Sequence, residues 1–290
     1  MRNSSHAIGL LRRIACHQCI VLQTCRKITV FEDDIKGPWK HKFKKPNLWA
    51  RSKRAAKALP GELVKFREEV KEHFQPQHWE MENGDYKYQW RLNTQQAIDE
   101  WIVSTDQDMD QGYSTGKTTL SNQQCMLFHG FLNTKVPDDG KTRYAGYVNV
   151  KSPLREKSFA RLESYDWTNF THLIIRCRGD GRSYDLNLNM NNFYDIQWHD
   201  VYSFTLYTRG GPYWQIAKIP FSKFLLTSKG RLQDKQQHIN LDRIKNFSIT
   251  ISDDAQGPFQ LELDYIGLIY DAHHNNTFFY EMYDNDPLLS

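Results

Sequence analysis

The chain has 290 residues, 39% hydrophobic and 13% aromatic, which is ample for a packed core and excludes a disordered chain. Its formal net charge of +4 is unevenly spread: residues 1–31 carry five basic and no acidic side chains, residues 32–60 nine basic and three acidic, and residues 61–290 24 basic against 31 acidic. A mildly acidic body behind a basic front end is the reverse of a domain built to grip nucleic acid.

Residues 1–31 lack acids, space their arginines (Arg2, Arg12, Arg13, Arg26) and set Leu10, Leu11, Ile14, Ile20, Val21 and Leu22 between them. That is the pattern of a mitochondrial transit peptide. A secretory signal fits less well, because His17 and Gln18 interrupt the apolar run from Ile14 to Leu22. Removal of the segment takes Cys16 and Cys19 with it, so their C-x-x-C spacing is not read as a metal or redox site. Residues 32–84 read as a Lys-rich linker and helical extension, broken at Gly37-Pro38 and Lys45-Pro46, with one short helix from Leu48 to Leu59. A second helix is predicted over Gly61 to Phe74, where Leu63, Phe66, Val70 and Phe74 recur at three- and four-residue spacing. Its acids Glu68, Glu69 and Glu72 are read as a solvated face. No later run approaches the ~20 apolar residues that span a bilayer.

From residue 85 to 272 the period becomes two. Tyr184, Leu186, Leu188 and Met190 alternate with polar residues, as do Tyr202, Phe204 and Leu206, and then Phe259, Leu261, Leu263 and Tyr265. Leu173 to Cys177 and Phe247 to Ile251 add apolar runs, and Asp138-Asp139-Gly140, Gly179-Asp180-Gly181, Gly210-Gly211-Pro212 and Gly257-Pro258 supply turns. Many short strands between such turns predict a mainly β domain, a sandwich or jelly roll, with a C-terminal tail over 273–290. Within Thr208 to Phe224, Gly210, Gly211 and Pro212 form a turn, Trp214 and Ile216 share one strand face, and Pro220 ends the pairing near Ile219. Trp214 is expected in the core. The remaining cysteines, Cys125 and Cys177, lie in apolar runs and are read as buried free thiols in preference to a disulfide.

Several resemblances to chemical motifs fail on inspection. Gly112 to Thr118 is one residue short of a phosphate-binding loop and runs into a strand pattern where a helix is required. Asp106, Asp108 and Asp110 have calcium-loop spacing, but Gly112 falls one position late and Lys117 stands where a glutamate is needed. Arg178-Gly179-Asp180 reads as a hairpin turn. The Asn169, Asn246 and Asn275 sequons matter only outside mitochondria. His199, beside Trp198 and Asp200, and the pair His273-His274 lack companions at metal-ligand spacing. No catalytic residue, cofactor site or metal site is assigned.

Thr208 to Gln215 and Ile219 to Phe224 resemble the complex I intermediate-associated protein 30 family of mitochondrial assembly factors. So do Arg143 to Tyr147, Tyr165 to Trp167, Arg176 to Arg182, and Gly257 to Phe259 with Asp264 to Gly267. The resemblance covers residues 85–270. It implies a galactose-binding-like jelly-roll β-sandwich preceded by a short helical extension, resident in the mitochondrial matrix and peripheral at the inner membrane. It implies a non-catalytic chaperone that holds complex I membrane-arm subunits and assembly intermediates. The companions it implies are an acyl-CoA-dehydrogenase-like flavoprotein and an adaptor also known from Toll signalling. Turn-proximal Arg178, Arg182, Arg209, Tyr213 and Trp214 are the residue types of interface hot spots, so they are the candidate protein-binding residues. The alternative is a carbohydrate-binding module in which exposed Trp198, Tyr207 or Tyr213 stacks on a sugar ring.

Overall fold

The structure is a computed structural model that describes residues 48–74, 81–140, 142–191, 200–228, 230–234 and 236–275. The segment expected to be a transit peptide, most of the expected basic linker, His199 with Trp198, and the end of the expected C-terminal tail lie outside the described residues. Chain contacts divide the protein into two units, Met1–Leu59 and Pro60–Ser290. Of the first, only the helical residues from Leu48 are described.

A single helix, α1, runs Leu48–Phe74 with Pro60 inside it, where the sequence predicts two helices. Proline already holds a helical φ, so the helix continues through it at the cost of one backbone donor. Leu63, Phe66 and Val70, the periodic apolar residues, are exposed. Among the described residues no helix is long and apolar enough to cross a membrane.

The remaining described structure is mainly β. The strands are β1 (Tyr86–Arg91), β2 (Ile102–Thr105), β3 (Thr115–Leu120), β4 (Met126–Leu132), β5 (Val148–Lys151), β6 (Arg155–Lys157), β7 (Arg161–Glu163) and β8 (His172–Arg178). There follow β9 (Ser183–Met190), β10 (Asp200–Tyr207), β11 (Gln215–Pro220), β12 (Leu225–Ser228), β13 (Arg231–Leu232), β14 (Ile244–Ile251) and β15 (Gly257–Ile269). One sheet has the order β11-β8-β15-β4-β3, with β1 also paired to β15, and the other β13-β12-β10-β9-β14-β5-β2. The pairs within both sheets are antiparallel. Together the two sheets form a jelly-roll sandwich. β6 and β7 make a separate hairpin.

Alternation decides what fills the space between the sheets. Leu173, Ile175 and Cys177 from β8 and Phe259, Leu261 and Leu263 from β15 are buried opposite Tyr184, Leu186 and Leu188 of β9 and Phe247, Ile249 and Ile251 of β14. Trp90 of the first sheet stacks on Phe247 of the second at 5.9 Å, with Trp101, Tyr165 and Trp167 edge-on around Trp90. Each buried aliphatic or aromatic side chain contributes roughly 1.5–3 kcal/mol, whereas an exposed ion pair contributes about 0–1, so this core dominates stability.

Tyr265 does not continue the Phe259-Leu261-Leu263 face. The register between β15 and β8 shifts between Leu263 and Tyr265, and Ile266 and Leu268 take over the inward positions. A bulge inserts one residue and reverses the parity beyond it. Tyr265 instead meets Tyr86 and Tyr88 of β1 edge-on, at 6.2 and 5.2 Å.

Candidate functional site

Two turns at one end of the sandwich bring the sequence candidates together: β8 to β9, carrying Arg178 to Arg182, and β10 to β11, carrying Thr208 to Trp214. They touch at their glycines. A Cβ on Gly179 would stand 2.3 Å from the Thr208 side chain, so only glycine fits there. Thr208 is buried; its hydroxyl donates to the Arg182 carbonyl at 2.7 Å and accepts from Gly181 N–H at 3.1 Å. The second turn is closed by Gln215, which accepts from Arg209 N–H at 2.8 Å and donates to the Tyr207 carbonyl at 3.3 Å. Asp180 anchors the first turn, accepting from Arg182 N–H, the Tyr184 hydroxyl and Gln260 N–H. A shallow cleft of about 290 Å³ lies between them, lined by Arg178, Gly179, Asp180, Gly211, Pro212 and Gln260.

The five candidates have different surroundings. Arg182 is drawn inward, its side chain 14% exposed. Its Nε donates to Asp253 at 2.8 Å, and its terminal nitrogens reach Asp253 again and the carbonyls of Ala255, Gly257 and Pro258. Its hydrogen bond to Asp253 raises its pKa further. Burial raises the Asp253 carboxyl, but the Arg182 hydrogen bond and Ala255 N–H more than offset this and hold it below the usual carboxylate range. Arg178 pairs with buried Glu262 at 2.5 Å. Arg182 therefore shapes the rim from within, and Arg178 stands half-committed to the fold.

Trp214 departs from its expected place in the core. It lies just before β11, half-buried on the outer face, with the Arg176 and Arg178 guanidinium groups over its ring at 4.8 and 5.3 Å. Ile216 shares that outer side and is 62% exposed, while Ile219 is buried. The parity of β11 is thus set by Ile219 and its partner Leu173 on β8. Tyr213 is 75% exposed and Tyr207 77%. Among the described residues no acid lies within ion-pair distance of the exposed Arg209. Tyr207, Arg209, Tyr213 and Ile216 are therefore the outward part of the site, and Trp214, Arg178 and Arg182 are progressively deeper supports. Thr208, Gln215 and Glu262 were not singled out by sequence reasoning. Thr208 lies in the turn beside the glycines, and the only signal of Gln215 and Glu262 is polarity within a strand.

The motifs set aside in the sequence occupy ordinary structural positions. Gly116 to Thr118 lie on β3. Asp106 is fully buried and accepts from Ser114 N–H and hydroxyl and from Gly146 N–H, and Asp108 accepts from Thr105 N–H, so these acids do not converge. Among the described residues no three His, Cys, Asp or Glu side chains are grouped to hold a metal. Cys125 and Cys177 are free and buried; burial raises both thiols, Cys177 to about 12, which disfavours the nucleophilic thiolate. His172, at the far end of β8, is pushed down to about 4 by burial, aided by the positive charge of Lys218 and of His274, whose ring lies 4.5 Å away. On the outer face of the second sheet, Asn149 and Asn187 both donate to Thr250, Ser203 donates to Asn187, and Asn189 donates to Asn246.

Comparison with known proteins gives a consistent set of relatives. Residues 90–263 match the family profile of complex I intermediate-associated protein 30. A protein of that name, described as mitochondrial, from Drosophila melanogaster is 41% identical over 264 residues, covering 90% of this chain and 89% of its own. A probable counterpart from Caenorhabditis elegans is 40% identical over 202 residues (69% and 59% of the two chains), and the Mus musculus protein 37% over 201 (69% and 60%). Among solved structures, a family 11 carbohydrate-binding module from Clostridium thermocellum aligns with a TM-score of 0.45 at 15% identity, over 67% of this chain and all of that one.

Proposed function

The chain belongs to the complex I intermediate-associated protein 30 family, and on that footing we propose that it acts in the assembly of mitochondrial respiratory complex I. In this reading it is a non-catalytic chaperone, on the matrix side and peripheral at the inner membrane. It holds membrane-arm subunits and intermediates together with an acyl-CoA-dehydrogenase-like flavoprotein and an adaptor shared with Toll signalling. The observation that carries the reading is the family match over residues 90–263, which includes both turns of the rim cluster. The geometry supports a contact role for that cluster: an arginine with no acid beside it among the described residues, two exposed tyrosines and an exposed isoleucine are side chains that gain most from a partner's surface. Arg209, Tyr213 and Trp214 are proposed to make or back the contact, with Arg178 and Arg182 fixing the turns beneath.

The test is affinity capture of the tagged chain from solubilised mitochondria, paired with clean deletion of the gene. Complex I subunits should come down with it, and deletion should lower complex I while membrane-arm subcomplexes accumulate. Normal complex I after deletion removes the proposal. A second reading, sugar binding, is favoured by Tyr207 and Tyr213, the type of exposed aromatic that stacks on a pyranose face. Titration with β-glucan oligosaccharides decides it, because saturable heat that Tyr213→Ala abolishes is expected only there.

A further inference from the structure

The hairpin β6–β7 turns through Ser158–Ala160, and Phe159 sits there at φ 60, ψ 32. A bulky residue in the left-handed region is an outlier that persists only where its surroundings hold it. Here two carboxylates from α1 hold it. Glu69 accepts from Ser158 N–H, from the Ser158 hydroxyl at 3.1 Å and from Arg161 at 2.5 Å. Glu62 accepts from Phe159 N–H at 2.5 Å. Arg161 in turn donates to the Ser158 hydroxyl at 2.8 Å and to the Ser158 carbonyl at 3.1 Å, and Ser158 is fully buried. Two successive backbone N–H groups, a hydroxyl and a guanidinium thus converge on anionic oxygen, the arrangement of a backbone anion nest reinforced by a charge.

Glu62 and Glu69 are seven residues apart, two helical turns, and so lie on one face of α1, with Phe66 between them. The Phe66 ring is 6.1 Å from that of Phe159. Glu69, expected in solvent, is only 17% exposed, whereas Leu63, Phe66 and Val70 remain exposed. This stretch of helix is therefore held to the hairpin by its two carboxylates more than by apolar burial. Ser158 N–H, set against partial burial and helped by the hydroxyl and the positive charge of Arg161, keeps the Glu69 carboxyl below its ordinary range.

We propose that the Ser158–Arg161 turn is a carboxylate-binding site that the chain's own helix fills, and that an acidic helical segment of a binding partner reads this site by displacing Glu62 and Glu69. The ligand class is two carboxylates two helical turns apart on one face. This inference does not rest on the complex I reading, since it is tested on the isolated full chain.

The probe is a fluorescein-labelled synthetic peptide of residues 60–74, followed by anisotropy against full-length wild type, Glu62→Gln/Glu69→Gln, and that double variant with Arg161→Gln. Silencing the internal carboxylates should tighten peptide binding at least tenfold over wild type, and Arg161→Gln should reverse the gain. Amide hydrogen exchange over residues 62–71 should accelerate at least tenfold in the double variant and stay unchanged in the control Glu68→Gln, whose side chain, among the described residues, pairs with Lys71 at 2.9 Å and not with the hairpin. Equal binding to wild type and double variant, binding indifferent to Arg161→Gln, or unaltered exchange would each overturn the proposal.

Discussion

Arg182→Ala separates a residue that builds the rim from one that meets a partner. The wild-type guanidinium is 14% exposed and pairs with Asp253, itself 13% exposed, while also donating to the carbonyls of Ala255, Gly257 and Pro258. Truncation leaves a mostly buried carboxylate without its cation and takes the arginine donor from three carbonyls, of which those of Ala255 and Pro258 are open to water. Breaking a buried pair from one side costs roughly 3–5 kcal/mol; water that reaches the residual exposed part of Asp253 lowers this to about 2–4 kcal/mol. Urea unfolding of the purified protein, followed by tryptophan fluorescence, should show the midpoint fall by the corresponding amount with an unchanged slope. Arg182→Met/Asp253→Asn, which removes both charges while keeping volume, should recover about half of the loss. The reasoning fails if Arg182→Ala unfolds at the wild-type midpoint yet no longer captures complex I subunits, since that outcome makes Arg182 a contact residue.

Arg209→Ala/Tyr213→Ala should do the opposite. Both side chains are exposed, so stability should move within about 0.5 kcal/mol in a thermal melt, while capture of complex I subunits falls. Trp214→Ala should cost about 0.5–2 kcal/mol in the same melt, because the ring's main partners are two arginines at its face, and Trp167→Ala about 3–5 kcal/mol, because that ring is buried in the aromatic cluster. His172, lowered from 6.5 to about 4, gives an acid limb: neutral in the fold, it is protonated first in the unfolded chain. Its contribution, about 1–3 kcal/mol, is complete above pH 6.5 and is lost as pH falls towards 4. Urea midpoints measured across that window should fall less steeply for His172→Gln; parallel curves count against the assignment.

Alternation was the legible part of this sequence. Tyr184, Leu186 and Leu188 announce both a strand and its buried side, because a two-residue period has only two phases. The same logic misplaced Trp214 because alternation groups it with Ile216 without saying which face is inward, and the phase of β11 is fixed further along, at Ile219. Tyr265 was missed because a bulge reverses parity without any local marker in the residues themselves. Neither the inward turn of Arg182 nor the docking of Glu69 was readable, since each depends on a partner about 70 to 90 positions away in the chain. Glycines in the two turns were legible as turn formers. Their closeness to each other across the site was not.

The last strand among the described residues, β15, is also the one that β8, β4 and β1 all pair with. A polypeptide emerging N-terminus first cannot close that sheet until residues 257–269 have arrived. Until then three earlier strands wait with open edges. Folding must therefore be late and dominated by distant pairings, which makes it slow for a chain of this size. Loss of even a short C-terminal piece that includes β15 removes the middle of a sheet, so nonsense mutations just upstream of residue 257 should yield no folded product.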